Sequence, residues 1–145
     1  MASFYPWILT LHLACAIVFI GAVTFEVLVL ERLHADFDAA TMQRIEHAVM
    51  RHARRVMPVV VALLFFSGIA LFDIRCNGWA CVDTRFGSWL LLKVGLALGV
   101  LAVFVRTVWA LRRGGLNPCA TRRTHHVVLT LMVGIVILAK GMFYF

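Results

Sequence analysis

The stretch WILTLHLACAIVFIGAVTFEVLVL, from Trp7 to Leu30, contains no Lys or Arg, yet it carries His12 and Glu26 in an otherwise apolar run. As a helix rising about 1.5 Å per residue it covers the roughly 30 Å hydrocarbon core of a bilayer, so it reads as a membrane span. At about 100° per residue, His12, Cys15, Phe19 and Glu26 fall in one broad stripe, which should face protein and not lipid. An ionisable group at the centre of such a helix costs roughly 2.5 kcal/mol or more, so it usually lines a bundle interior and often marks a site. His12 is therefore the first functional candidate. The plainer reading gives it a hydrogen-bond network and leaves Glu26 hydrated or paired near the interface.

Composition agrees with this class. Of 145 residues, 63 % are hydrophobic and only 14 % charged, with a mean hydropathy of +0.94, whereas soluble domains carry about 25 % charged residues. One small polytopic domain, 1–145, is expected. The net charge of +7 does not point to nucleic acid, because the arginines cluster in short loops beside apolar segments and so encode topology.

Outward from the first span, the N-terminus MASFYPW has no basic region, and the apolar run is too long for a signal-peptide core, so it should remain in the mature protein. Tyr5 and Trp7 read as interfacial anchors. After it, Ile45, Val49, His52 and Val56 repeat at helical spacing, with Asp38 or Thr41 available as an N-cap. The spacing predicts a cytoplasmic amphipathic helix over about 39–55 leading into a second span over 56–73, with Pro58 near the start of that span and Ser67-Gly68 permitting close helix approach. The next loop carries Cys76 and Cys81 around an Asn77-Gly78 turn signal. A third span is expected over 88–111, and a fourth over 124–145.

The loop 31–55 holds Arg32, Arg44, Arg51, Arg54 and Arg55, and the loop 112–123 holds Arg112, Arg113, Arg122 and Arg123, whereas the loop 73–87 holds Arg75 and Arg85 alone. The positive-inside bias places loops 31–55 and 112–123 in the cytoplasm, and both termini with loop 73–87 in the periplasm of a bacterial-type inner membrane. In that oxidising compartment a Cys76–Cys81 disulfide is the leading expectation, with Cys15 and Cys119 free. The fold expected is an all-α, antiparallel four-helix transmembrane bundle.

Depth then groups the polar residues. His12, Lys93 and Lys140 each lie about five residues inside the outer end of their spans, and Glu26, Arg106, His125 and His126 share an inner layer. Lys93 and Lys140 can snorkel to the headgroups. Around His12 they would instead form a cationic mouth suited to haem, with imidazole on iron and two ammonium groups on the propionates. Glu26 and Arg106 could form a structural ion pair between spans one and three. Gly95 and Gly99 form a GxxxG ridge nearly opposite Lys93, a surface for another helix or a homodimer.

His12 with Gly21, the approach RHARRVMPVVVALLFFSGIALF, the segment FGSWLLLKVGLAL and the opening RRTHHVVL of the last span resemble the CopD copper-resistance domain. The same order of features is similar to HemJ-type protoporphyrinogen oxidases, whose His, Trp-x-x-x-Lys and late Lys would here be His12, Trp89 with Lys93, and Lys140. The resemblance implies a porphyrin site or, from the Phe86-Gly87 and Leu-Leu-Leu-Lys run, copper handling. These residues admit three readings. The first is a b-type haem protein moving electrons, with quinone or a respiratory-chain partner, which could make it a membrane oxidoreductase. In the second, copper passes along His12, Cys15, Met57, Met132, His52 and the His125-His126 pair. The third is a structural subunit of a respiratory complex. Lys93 and Lys140 obstruct a cation and favour an anionic cofactor, which ranks haem first.

Overall fold

Four helices among the described residues are long and apolar enough to cross a membrane: Tyr5–Leu33, Ala39–Cys76, Arg85–Arg112 and Thr121–Gly141. The structure, a computed structural model, describes the backbone of residues 2–114 and 118–144 and the side chains of these except at 2, 118–120 and 142. No strand occurs among the described residues. The protein is thus all-α and a multi-pass membrane protein. The expectation of a free Cys119 thiol concerns a side chain outside the described residues, as does Phe145 at the end of the fourth span.

Large apolar side chains are left open where a bilayer would cover them: Ile17 is 71 % exposed, Phe66 72 % and Ile137 64 %. In water each would forfeit about 1.5–3 kcal/mol of available burial, whereas lipid supplies the missing apolar contact. The interior polar groups are accounted for as well, since no buried side-chain nitrogen or oxygen among the described residues lacks a hydrogen-bond partner.

The chain divides into two units, 1–78 and 79–145. In the first, α1 (Tyr5–Phe25) carries Pro6 in its opening turn, where the missing N–H costs nothing. It runs through a π-helical turn, Glu26–Leu30, into the short α2, Glu31–Leu33. Cys15, Phe19, Val23 and Val27 recur at every fourth position and are buried, so the core face is the one that the His12 stripe predicts; His12 and Glu26 flank it half-buried.

α3 (Ala39–Cys76) begins on Asp38, whose extended backbone lets the carboxylate accept from the Thr41 amide at 3.2 Å. The amphipathic stretch 39–55 and the span 56–73, expected as two elements, form one uninterrupted helix of 38 residues with Pro58 in its interior. Pro58 removes a single hydrogen bond, the one to the Arg54 carbonyl, and both residues are exposed at the polar end of the apolar run. Water or headgroups there can satisfy that carbonyl. The helix stops where Asn77 turns left-handed (φ 48°, ψ 52°) and Gly78 follows at φ 82°. Asn and Gly tolerate this region with the least steric cost. Cys76 and Cys81 are both disulfide-bonded.

α1 and α3 pack antiparallel, as two bonded levels show: Arg75 donates to the Tyr5 hydroxyl at 2.9 and 2.7 Å, and His12 meets Ser67 at 3.1 Å. Continuing that register puts Glu26 at the level of Arg54.

In the second unit, Thr84 caps α4 (Arg85–Arg112) by accepting from the Gly87 amide at 3.0 Å. The helix therefore starts before Ser88, the expected first residue of the span. A Cβ at Gly87 would collide with the Cys81 carbonyl, so this approach requires glycine. α5 (Pro118–Tyr144) likewise begins ahead of Thr124, with proline as its first residue. Leu96 lies against Gly134, and Val100, Val128 and Met132 form the buried core of the unit.

Candidate functional site around His12

His12 sits on α1 one turn before the buried free thiol of Cys15. Its Nδ1 is 3.0 Å from the Leu64 carbonyl and 3.1 Å from Ser67 Oγ, both on α3. A carbonyl oxygen only accepts, so Nδ1 carries the proton and donates. Ser67 in turn donates to the Leu63 carbonyl at 2.6 Å or the Leu64 carbonyl at 3.0 Å, which leaves its oxygen lone pairs toward the imidazole. With Nδ1 protonated, the neutral ring has its basic lone pair on Nε2, the nitrogen that can ligate a metal. A backbone or carboxylate acceptor on the other ring nitrogen is how ligating histidines are commonly held.

The ring lies against Gly68. A Cβ built at this position would come within 3.2 Å of His12 Cε1, tighter than most side-chain contacts. The Ser67-Gly68 pair is therefore two devices in sequence, a hydrogen-bonding hydroxyl and a gap that admits the imidazole. Ser67 and the Leu64 carbonyl are site residues that the sequence reading missed as partners of His12. The available signal was a lone Ser in the apolar run FFSGIAL, whose hydroxyl needs an internal acceptor in a membrane helix.

The other candidate residues are spread over both units. Lys93 is half-buried on α4, and Trp89 and Lys140 are exposed on α4 and α5. The register set by Leu96 and Gly134 brings Lys93 and Lys140 to within about one helical turn in depth. His12 belongs to the first unit and both lysines to the second. His52 is exposed on α3, His125 is half-buried and His126 exposed on α5, and the His126 carbonyl accepts from Thr130 at 2.9 Å. Met57 is half-buried and Met132 buried. Glu26 belongs to the first unit; Arg106 belongs to the second, exposed along an apolar groove of α4 with Leu98, Val105 and Trp109. A Cβ at Gly95 or Gly99 would meet nothing within 4 Å. Among the described residues no three His, Cys, Asp or Glu side chains group as a metal site.

A further histidine, not singled out from the sequence, ties the polar end of the first unit. His34 Nε2 is 2.9 Å from Glu46 Oε1, and its Nδ1 is 3.3 Å from the Leu30 carbonyl. Both ring nitrogens thus face acceptors, one a carboxylate and the other a backbone carbonyl.

Comparison with known protein families, characterised proteins and solved structures finds no match to this chain.

Proposed function

We propose that this membrane protein binds a b-type haem through Nε2 of His12 and serves in electron transfer, with quinone or a respiratory-chain component as the redox partner. The observation that carries the reading is the donor bond from His12 Nδ1 to the Leu64 carbonyl, which fixes the tautomer and the ring orientation an axial ligand needs. The donor set fits the group. One neutral imidazole is supplied from a membrane helix of the first unit, and the reading assigns Lys93 and Lys140, cations of the second unit, to the propionate carboxylates. When bound, haem would supply one-electron redox chemistry; the protein's share is to hold the imidazole, keep Nδ1 protonated and tune ligand basicity through Leu64 and Ser67. The proposed setting is a bacterial-type inner membrane with both termini and loop 73–87 outside, as the arginine bias indicates.

The resemblance to HemJ-type proteins supports a porphyrin, and that to CopD supports copper. Copper needs several converging donors, and no three His, Cys, Asp or Glu side chains among the described residues group together to offer them; haem asks the chain for one or two axial ligands.

A visible spectrum of the purified protein, expressed with ample haem, tests the reading. A Soret band is expected in the wild type and is lost in His12→Ala. Ser67→Ala, which keeps the Leu64 acceptor, should retain the band with an altered reduction potential. Lys93→Ala and Lys140→Ala should weaken haem retention without changing the ligand field. Stoichiometric copper without a Soret band would replace haem by copper, and a band that survives His12→Ala would move the ligand to His52, His125 or His126.

A further inference from the structure

We propose that the arginine-bearing face of α3 is a binding surface for anionic phospholipid, taking the headgroup phosphate on Arg44, Arg51, Arg54 and Arg55 and the acyl chains along Phe66 and Ile69. All four arginines are exposed. At about 100° per residue they fall within roughly a third of the helix circumference, opposite the side on which Met42 is buried. The neighbouring exposed side of the same helix carries Ala48, Val56 and Val59 instead, so the cations are gathered on one face and not spread over everything open.

The continuity of α3 makes this face a lipid site. Because 39–55 and 56–76 are one helix, a row of side chains keeps its direction from the polar end into the apolar run. On that row, below the arginines, lie Phe66 and Ile69, 72 % and 63 % exposed. The change from cation to hydrocarbon comes at Arg55-Val56. A phospholipid changes from phosphate to acyl chain over the same short distance at the leaflet boundary.

Charge complementarity selects an anionic headgroup. Glu46 is the one acidic residue in the sequence from Ala39 to Cys76 before Asp73, and it is engaged by His34 at 2.9 Å. Guanidinium forks bind phosphate oxygens bidentately, which favours Arg over Lys for this task.

The test uses the full chain in mixed micelles containing equal phosphatidylglycerol and phosphatidylcholine of identical acyl chains, with the lipid retained on the captured protein quantified by mass spectrometry. About tenfold enrichment of phosphatidylglycerol is expected, falling several-fold when salt is raised from about 0.05 to 0.5 M. The combined variant R51Q/R54Q/R55Q should approach parity between the two lipids, while R112Q/R113Q at the end of α4 should keep the enrichment. Equal retention of both lipids by the wild type would overturn the proposal. So would undiminished enrichment in the triple variant, or an equal loss in R112Q/R113Q, which would reduce the effect to net charge. Displacement by glycerol phosphate at matching concentration would reassign the face to a soluble phosphate. If circular dichroism shows the triple variant unfolded, the salt dependence of the wild type decides.

Discussion

The two helical pairs are held by different means. α1 and α3 are stitched by polar groups at successive levels: Tyr5 with Arg75, His12 with Leu64 and Ser67, and His34 with Glu46 where the helices leave the apolar zone. In α4 and α5 Leu96 faces Gly134 across the pair with room for a Cβ, over an apolar core of Val100, Val128 and Met132. In a bilayer the hydrophobic effect gives helices no reason to associate, so interhelical hydrogen bonds and close packing on small residues are the two available devices. Each pair displays one of them prominently. A polar seam carries chemistry as a by-product, because a hydrogen bond that fixes a helix can also fix a histidine tautomer. The contact of Leu96 on Gly134 fixes no such group.

Glycine substitutions probe this contrast. The largest effect is expected for Gly87→Ala, whose new methyl group meets the Cys81 carbonyl and has nowhere to go. The start of α4 should loosen at a cost of about 3 kcal/mol, read as a lowered thermal midpoint in detergent. Next comes a matched pair of changes. Gly68→Ala puts a methyl group 3.2 Å from the His12 ring and should destabilise by about 1 kcal/mol, since overpacking outweighs the gain in helix propensity. Gly134→Ala finds Leu96 at 3.9 Å, an ordinary contact, and should be neutral or stabilising by about 0.5 kcal/mol. Equal responses at the two sites would show that the seams do not differ.

The smallest effect lies at Asp38, outside the membrane. Its hydrogen bonds from the Thr41 side chain and amide hold the carboxyl below the usual aspartate range. A carboxyl with a lowered folded-state pKa contributes stability above its unfolded value, about 3.9, and loses it as pH falls through the lowered one. Amide protection at Thr41 and Met42 should therefore be lower in Asp38→Ala than in the wild type at neutral pH. The difference should shrink below about pH 4. A difference independent of pH would assign the cap to something other than the carboxylate.

The spans, the Asn77-Gly78 turn and the Asp38 cap were legible because each rests on local rules: apolar length, backbone tolerance, a carboxylate three residues before an amide. His12 was legible as an expensive residue in hydrocarbon. Its partners were not, because Leu64 contributes a backbone carbonyl that every residue possesses, and only the antiparallel register selects that one. The single rod of α3 was missed because Pro58 and the change of composition at Val56 both imitate a boundary, while the loss of one hydrogen bond at a wet helix end is too small to make one. His12 lies in one unit and Lys93 and Lys140 in the other, so their common depth is a matter of residue counts along the spans alone.

The π-helical turn at Glu26–Leu30 can be understood as a spare residue carried in the chain. A turn of this kind holds one more residue than an α-turn in the same span. Excising any one of Val27 to Leu30 should therefore let the backbone relax to an ordinary helix with the segments on both sides kept in phase. His34 would still face Glu46, whereas a residue cut from the α-helical stretch of α1 would turn everything beyond it by about 100°. The bulge thus acts as slack in the chain, able to lose one residue without disturbing either end of the first pair.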